Sequence, residues 1–206
     1  QMIETCESGD QLSQLHTYLV QYITYKRQQL FADKMETRTN RLTVVLENIY
    51  QSQNASAVMR TVDCLGISDL HVIEDIYSYQ INPKIVLGAS KWVRLNRYRQ
   101  NSNPSDAAII RLKKDGYQIV ATTLSEKSIS LEDLDWNEKN KMAIVIGTEK
   151  YGVKPETLQE ADIHLKIPMY GFTESYNLSA SSAIILYTLI QRLYKSGSDL
   201  NTLDQF

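Results

Sequence analysis

Ala143-Ile144-Val145-Ile146-Gly147-Thr148-Glu149-Lys150-Tyr151-Gly152 is the stretch from which the fold can be read. Its first four residues are apolar without alternation. A strand with one wet face alternates, and a strand covered on both faces does not, so this run predicts a central strand of a largely parallel sheet. The run ends in a loop that holds two of the chain's eight glycines within six residues. In open α/β sheets, ligands bind at such loops, outside the C-terminal ends of the strands.

Outward from there, Thr43-Val44-Val45-Leu46, Leu70-His71-Val72-Ile73, Tyr117 to Thr122 and Ile163 to Ile167 read as further strands. Between them lie helical stretches. One runs from Asn54 to Cys64 and is stopped by Gly66; another runs from Ser105 to Lys114, framed by Pro104 and Gly116. A long helix from Leu178 to Tyr194 closes the set. Strands alternating with helices give an α/β fold. The first forty residues differ: they are polar, and Leu12, Leu15, Leu19 and Ile23 recur at helical spacing. With a second helical stretch from Lys26 to Met35, they form an N-terminal helical extension. The expected organisation is an extension over 1–41, an α/β domain over 42–195 and a tail over 196–206.

Composition sets outer limits. The 206 residues are 43% hydrophobic and 22% charged, with a net charge of −2, which is ordinary for a globular chain. Binding to nucleic acid through overall charge is excluded, so any such binding needs a local patch. Cys6 and Cys64 are too few for a disulfide framework or a four-thiolate zinc site, and they are expected to be reduced and buried. His16, His71 and His164 are scattered, so no metal is expected. No apolar run is long enough for a bilayer span, no membrane association is expected, and Gln1-Met2 reads as preceding the natural start. The expectation is a soluble, cytoplasmic protein.

Three strand-end loops stand out. They are Asn54 to Arg60, Gly147 to Gly152, and Pro168-Met169-Tyr170-Gly171-Phe172-Thr173-Glu174-Ser175-Tyr176-Asn177. Taken singly, each has an ordinary reading. Asn54 caps a helix, Arg60 is solvated, the glycines turn the chain, and Ser175 and Asn177 cap the last helix. Taken together they suggest one site. Neither a dinucleotide-binding glycine fingerprint nor a P-loop is present, and the missing fingerprint disfavours a dinucleotide-dependent oxidoreductase.

Lys84, Lys91, Arg94, Arg97 and Arg99 fall in one window without an acidic residue, where average composition puts about two charges of each sign. Trp92 and Tyr98 sit among them. Aromatics interleaved with cations suit stacking on unpaired bases and contacts to phosphates. The extension repeats this more weakly, with Lys26, Arg27, Lys34, Arg38 and Arg41 against Asp33 and Glu36. That segment reads equally well as a solvated helix face.

The three loops resemble the signature motifs of the TrmH family of SPOUT-class RNA 2′-O-ribose methyltransferases. The first motif runs from Asn54 through Arg60 to Gly66, the second from Ile144 to Val153, and the third from Ile167 to Ser179. The resemblance spans Leu42 to Tyr194. Gly88-Ala89-Ser90-Lys91-Trp92-Val93 and the basic extension are most similar to the subgroup acting on the D-loop guanosine 18 of tRNA. The resemblance implies a C-terminal deep trefoil knot, S-adenosylmethionine as cofactor, tRNA as partner and a homodimer. It implies catalytic roles for Arg60, Asn54, Glu149, Ser175 and Asn177. Cofactor contacts would come from Thr122, Leu124, Gly147, Ile167, Met169 and Tyr176. RNA contacts would come from Lys26, Arg27, Arg38, Arg41, Lys91, Trp92, Arg94 and Arg97. Tyr176 stands where the family commonly has Leu. The alternatives are the same chemistry on rRNA or a tRNA wobble nucleotide, or an RNA-binding protein without turnover.

Overall fold

The computed structural model describes residues 9–99 and 103–197. Two helices come first, α1 (Gly9–Val20) and α2 (Tyr25–Glu36). The sheet region follows as β1 (Leu42–Glu47), α3 (Ser52–Cys64), β2 (Asp69–Ile73), α4 (Pro83–Val86) and β3 (Arg94–Tyr98). Then come α5 (Pro104–Lys114), β4 (Tyr117–Thr122), β5 (Ile129–Ser130), β6 (Lys141–Ile146), α6 (Pro155–Glu160), β7 (Ile163–Lys166) and α7 (Leu178–Lys195). The strands form one sheet in the order β3-β2-β1-β6-β4-β7-β5, and every pairing is parallel.

The apolar runs read from the sequence are the sheet centre. All six residues of β1 are buried, as are Met142 to Ile146 of β6. Side chains alternate between two cores, one on each face. Leu42, Val44, Leu46, Met142, Ile144 and Ile146 pack with Val58 and Met59 of α3 and Leu186 and Leu189 of α7. Val45, Ala143 and Val145 pack with Ile109 and Leu112 of α5 on the other side. Each such large side chain contributes about 1.5–3 kcal/mol of burial free energy.

Four elements that the sequence does not announce are present, the four-residue α4 among them. β3 is an edge strand whose charged residues hid it; Arg94 pairs with Asp69, and Arg97 pairs with Glu74, both carboxylates being on or just after β2. β5 has only two residues, and α6 only six. Cys64, expected to be buried, is exposed at the C-terminal end of α3, because the helix turns its apolar face the other way; Cys6 lies outside the described residues.

The sheet order places one site and one unusual crossing. β1 and β6 are neighbours, so the loops leaving their C-terminal ends are side by side. β7, late in the chain, lies between β4 and β5. The short connection from β4 to β5 therefore spans the C-terminal end of β7: Thr123 N donates to Leu165 O, and Leu131 N donates to Lys166 O, both at 2.9 Å.

Candidate active site

Asn54 sits in the first turn of α3, just beyond β1, and is nearly buried. The helix starts at Ser52, so Asn54 is not its N-cap as its isolated reading had it. Its side chain is spent on tertiary contacts. Nδ2 donates to Glu149 Oε1 at 2.7 Å and to Gln51 Oε1 at 3.3 Å. Oδ1 accepts from Asn177 Nδ2 at 3.2 Å. Asn177 is also the N-cap of α7, its Oδ1 accepting from Ser179 N at 2.9 Å. Three loops from three separate regions of the sequence are thus joined by one hydrogen-bonded chain, Asn177–Asn54–Glu149. A hydrogen bond to a carboxylate is worth roughly twice a neutral one, so the Asn54–Glu149 contact is its strongest link.

The loop carrying Glu149 is held tightly. Thr148 and Gly152 exchange two backbone hydrogen bonds at 3.0 Å. A Cβ at Gly147 would meet the Gly152 carbonyl at 2.0 Å and Val153 N at 2.1 Å, so only glycine permits this closure. Behind the loop, the buried Glu47 carboxylate accepts from Ser105 Oγ at 2.7 Å, Thr157 Oγ1 at 2.6 Å and Lys154 N at 2.9 Å. This hub ties β1 to α5 and to the exit of the Glu149 loop. Sequence reasoning missed it, because an isolated Glu at a strand end carries no signal of its distant donors. Gln51 was missed for the same reason.

Arg60 is elsewhere. Six residues beyond Asn54 is about 240° around the helix and about 9 Å along it. Arg60 is exposed and makes no hydrogen bond or ion pair with a described residue. It lines a shallow apolar groove of about 610 Å³ with Ala57, Cys64, Ile85, Ala183, Ile184 and Tyr187. Ser175 is exposed and outside the hydrogen-bonded chain. The structure therefore brings together three of the five expected catalytic residues.

The expected cofactor residues lie at adjacent strand ends. Thr122 ends β4, Gly147 follows β6, and Ile167 and Met169 follow β7. Thr122 Oγ1 donates to Val145 O at 3.1 Å across that edge. Leu124 and Tyr176 are exposed, while Ile167 and Met169 are half-buried. Apolar side chains beside a tightly turned backbone suit an adenosine with polar backbone contacts.

The expected RNA contacts divide into two groups. Lys26, Arg27 and Lys91 are exposed, and Trp92, half exposed, packs against Phe31 with ring centroids 5.5 Å apart. The other guanidiniums have structural partners. Arg38 donates to Asp63, Ile67 O and Trp92 O, while Arg41 donates to Lys139 O at 2.6 Å. Arg94 binds Asp69 through two nitrogens, and Arg97 binds Glu74 in the same way. Burial pushes both carboxyls up, but the facing guanidiniums and further hydrogen bonds outweigh it, so each lies below its ordinary pKa. These pairs remove two of the five charges that marked the basic window.

Residues 41–187 match the SpoU rRNA Methylase family. The chain belongs to that family. A protein of Borreliella burgdorferi named tRNA (guanosine(18)-2'-O)-methyltransferase is 51% identical over 181 residues, covering 88% of this chain and 80% of that protein. A protein of Aquifex aeolicus with the same name is 34% identical over 163 residues, covering 79% and 74%. The crystal structure of the Aquifex aeolicus TrmH/SpoU tRNA modifying enzyme superposes with a TM-score of 0.75 at 32% identity, covering 84% of this chain and 85% of that one. Among the described residues, no helix is long and apolar enough to cross a membrane, and no group of three or more His, Cys, Asp or Glu could hold a metal ion.

Proposed function

We propose that this protein transfers a methyl group from S-adenosylmethionine to the ribose 2′-OH of guanosine 18 in the D loop of tRNA. The observation that carries the reading is the Asn177–Asn54–Glu149 chain, which joins the three signature loops at one edge of the sheet. The 51% identity to a relative named for this reaction, over most of both chains, gives the substrate.

S-adenosylmethionine, when bound, supplies an electrophilic methyl on a sulfonium. The protein's share is to hold the ribose and manage its hydroxyl proton. Thr122, Leu124, Gly147, Ile167, Met169 and Tyr176 hold the cofactor at the C-terminal ends of β4, β6 and β7. The chain after β6 forms the trefoil knot, a reading supported by β7 lying between β4 and β5. Asn54 and Asn177 fix the relative position of the three loops, and Glu149 anchors the second. Ser175 hydrogen-bonds the substrate. Arg60 grips a phosphate beside the target ribose and stabilises charge developing on its 2′ oxygen. A guanidinium stays protonated in proteins, so the hydroxyl proton leaves to that phosphate or to water, not to Arg60.

The protein acts as a homodimer in the cytoplasm. The apolar groove around Arg60 and the exposed Tyr18, Leu19, Tyr22, Leu30 and Met35 of the N-terminal helices are the surfaces a second copy covers. In this reading Arg60 of one copy lies at the interface and completes the site of the other. The extension over 1–41 and the Lys91–Trp92 region contact tRNA beside the domain over 42–195.

The test is incubation with labelled S-adenosylmethionine and unfractionated tRNA, followed by nucleotide mapping, with Arg60→Ala in parallel. Label in 2′-O-methylguanosine of the D loop, lost with Arg60→Ala, is expected. Label in another nucleotide keeps the chemistry and replaces the substrate. Absence of label from tRNA and rRNA, with the cofactor bound, overturns the enzyme reading.

A further inference from the structure

Two tyrosines near the start of the active-site helix meet ring to ring at the surface. Tyr50, in the loop after β1, is 70% exposed, and Tyr77, in the loop after β2, is 37% exposed. Their rings meet edge to face, with centroids 5.0 Å apart and planes at 63°. Neither hydroxyl bonds to a described residue.

The loops beneath the rings are locked. Asn48, buried and left-handed at φ 56°, accepts through Oδ1 from Asp75 N and Ile76 N, both at 2.9 Å. A left-handed asparagine carries a conformational cost that the surrounding bonds must offset, so this geometry is held firmly. Glu74 Oε1 accepts from Tyr79 N at 2.8 Å, and Lys154 pairs with Asp75. The second loop then runs along the first turns of α3. Tyr79 OH donates to Ala55 O at 3.5 Å, and Asn82 N donates to Ser56 Oγ at 2.7 Å. Tyr50 is next to Gln51, which bonds Asn54. Tyr50 is thus one residue along the chain from a side chain bonded to the Asn54–Glu149 site.

We propose that the Tyr50–Tyr77 pair is a stacking site for one unpaired nucleobase of the substrate RNA, next to the nucleotide whose ribose is methylated. The inference rests on the RNA methyltransferase reading. An edge-to-face pair leaves ring surface open, and a base stacks on such a surface whatever its identity. Preorganised aromatics lose little entropy on binding, which is why a locked pair suits this use. The contact involves no charge, so it strengthens RNA binding without adding to the salt dependence.

The experiment uses the full chain, Tyr50→Ala, Tyr77→Ala and Tyr50→Phe. The substrate is a tRNA transcript carrying fluorescent 2-aminopurine at the nucleotides flanking the target. Each alanine variant is expected to raise KM for RNA roughly five- to hundredfold. Each is also expected to lose the quenching seen on wild-type binding. Cofactor affinity, thermal midpoint and salt slope stay at wild-type values, and Tyr50→Phe behaves as wild type. RNA KM within twofold of wild type for both alanine variants overturns the stacking site. So does an equal loss of cofactor affinity, which would make the pair a structural support. A wild-type protein that methylates no RNA overturns the functional reading and the stacking site with it. An active wild type with unaffected variants overturns the stacking site alone.

Discussion

The amide of Asn54 donates to the carboxylate of Glu149 at 2.7 Å, across two loops 95 residues apart in sequence. The contact exists because β1 and β6 are parallel neighbours, so the loops leaving them must meet. Asn54→Ala or Glu149→Gln removes its charge-assisted character. We expect kcat to fall about 10- to 100-fold, about 1.4–2.7 kcal/mol of barrier, with a small change in thermal midpoint. Steady-state kinetics on tRNA checks this; unchanged kcat in both variants would reduce the contact to loop packing.

Arg60 makes no hydrogen bond or ion pair with a described residue, so its substitution should leave the stability of the fold within about 0.5 kcal/mol of wild type. Arg60→Ala should abolish turnover. Arg60→Lys should also lose most of it, because an ammonium cannot form the two-pronged grip on a phosphate. A lysine variant with near wild-type kcat would argue for charge alone.

The two groups of cations should separate in experiment. Arg97→Ala leaves the buried Glu74 carboxylate unpaired, and a loss of about 3 kcal/mol in stability is expected. Lys26→Ala, Arg27→Ala and Lys91→Ala should leave stability nearly intact but lower the salt dependence of tRNA binding, each by about one unit of slope. Denaturant melts and binding at several salt concentrations read the two effects apart.

Gly147→Ala places a methyl group against the Gly152 carbonyl. The 148–152 loop must open, so thermal midpoint and cofactor affinity should both fall, by amounts calorimetry can measure. Unchanged cofactor affinity would place the cofactor away from this loop.

His71 gives a pH signature. Burial lowers its pKa to about 4 from the ordinary 6.5, the nearby Asp69 carboxylate opposing the shift only in part. Below 6.5 the unfolded chain takes up a proton that the folded chain refuses. The stability associated with neutral His71 is therefore complete above pH 6.5 and is lost progressively as the pH falls towards 4, about 3 kcal/mol across that window. Denaturation at a series of pH values checks the slope, and His71→Gln should flatten it.

The legible parts of the sequence were those with local causes. Val44-Val45-Leu46 and Ala143 to Ile146 announce themselves as buried strands by unbroken apolarity, and Pro104 with Gly116 frames α5. β3 was hidden because Arg94 and Arg97 read as free charge when their partners lie 23 to 25 residues upstream. The placement of Asn54 and Asn177 in one site followed from resemblance and not from any local pattern. Asn54 and Arg60 belong to one expected motif but do not meet within one chain. Helical periodicity alone puts them on different faces, and the structure does so.

The most direct measurement compares two tRNA transcripts differing by one atom: guanosine or 2′-deoxyguanosine at position 18 of the D loop. Methyl acceptance by the first and none by the second is the expected result. Equal acceptance by both would show that the methyl goes to another atom or another nucleotide, and would contradict ribose 2′-O-methylation at this position.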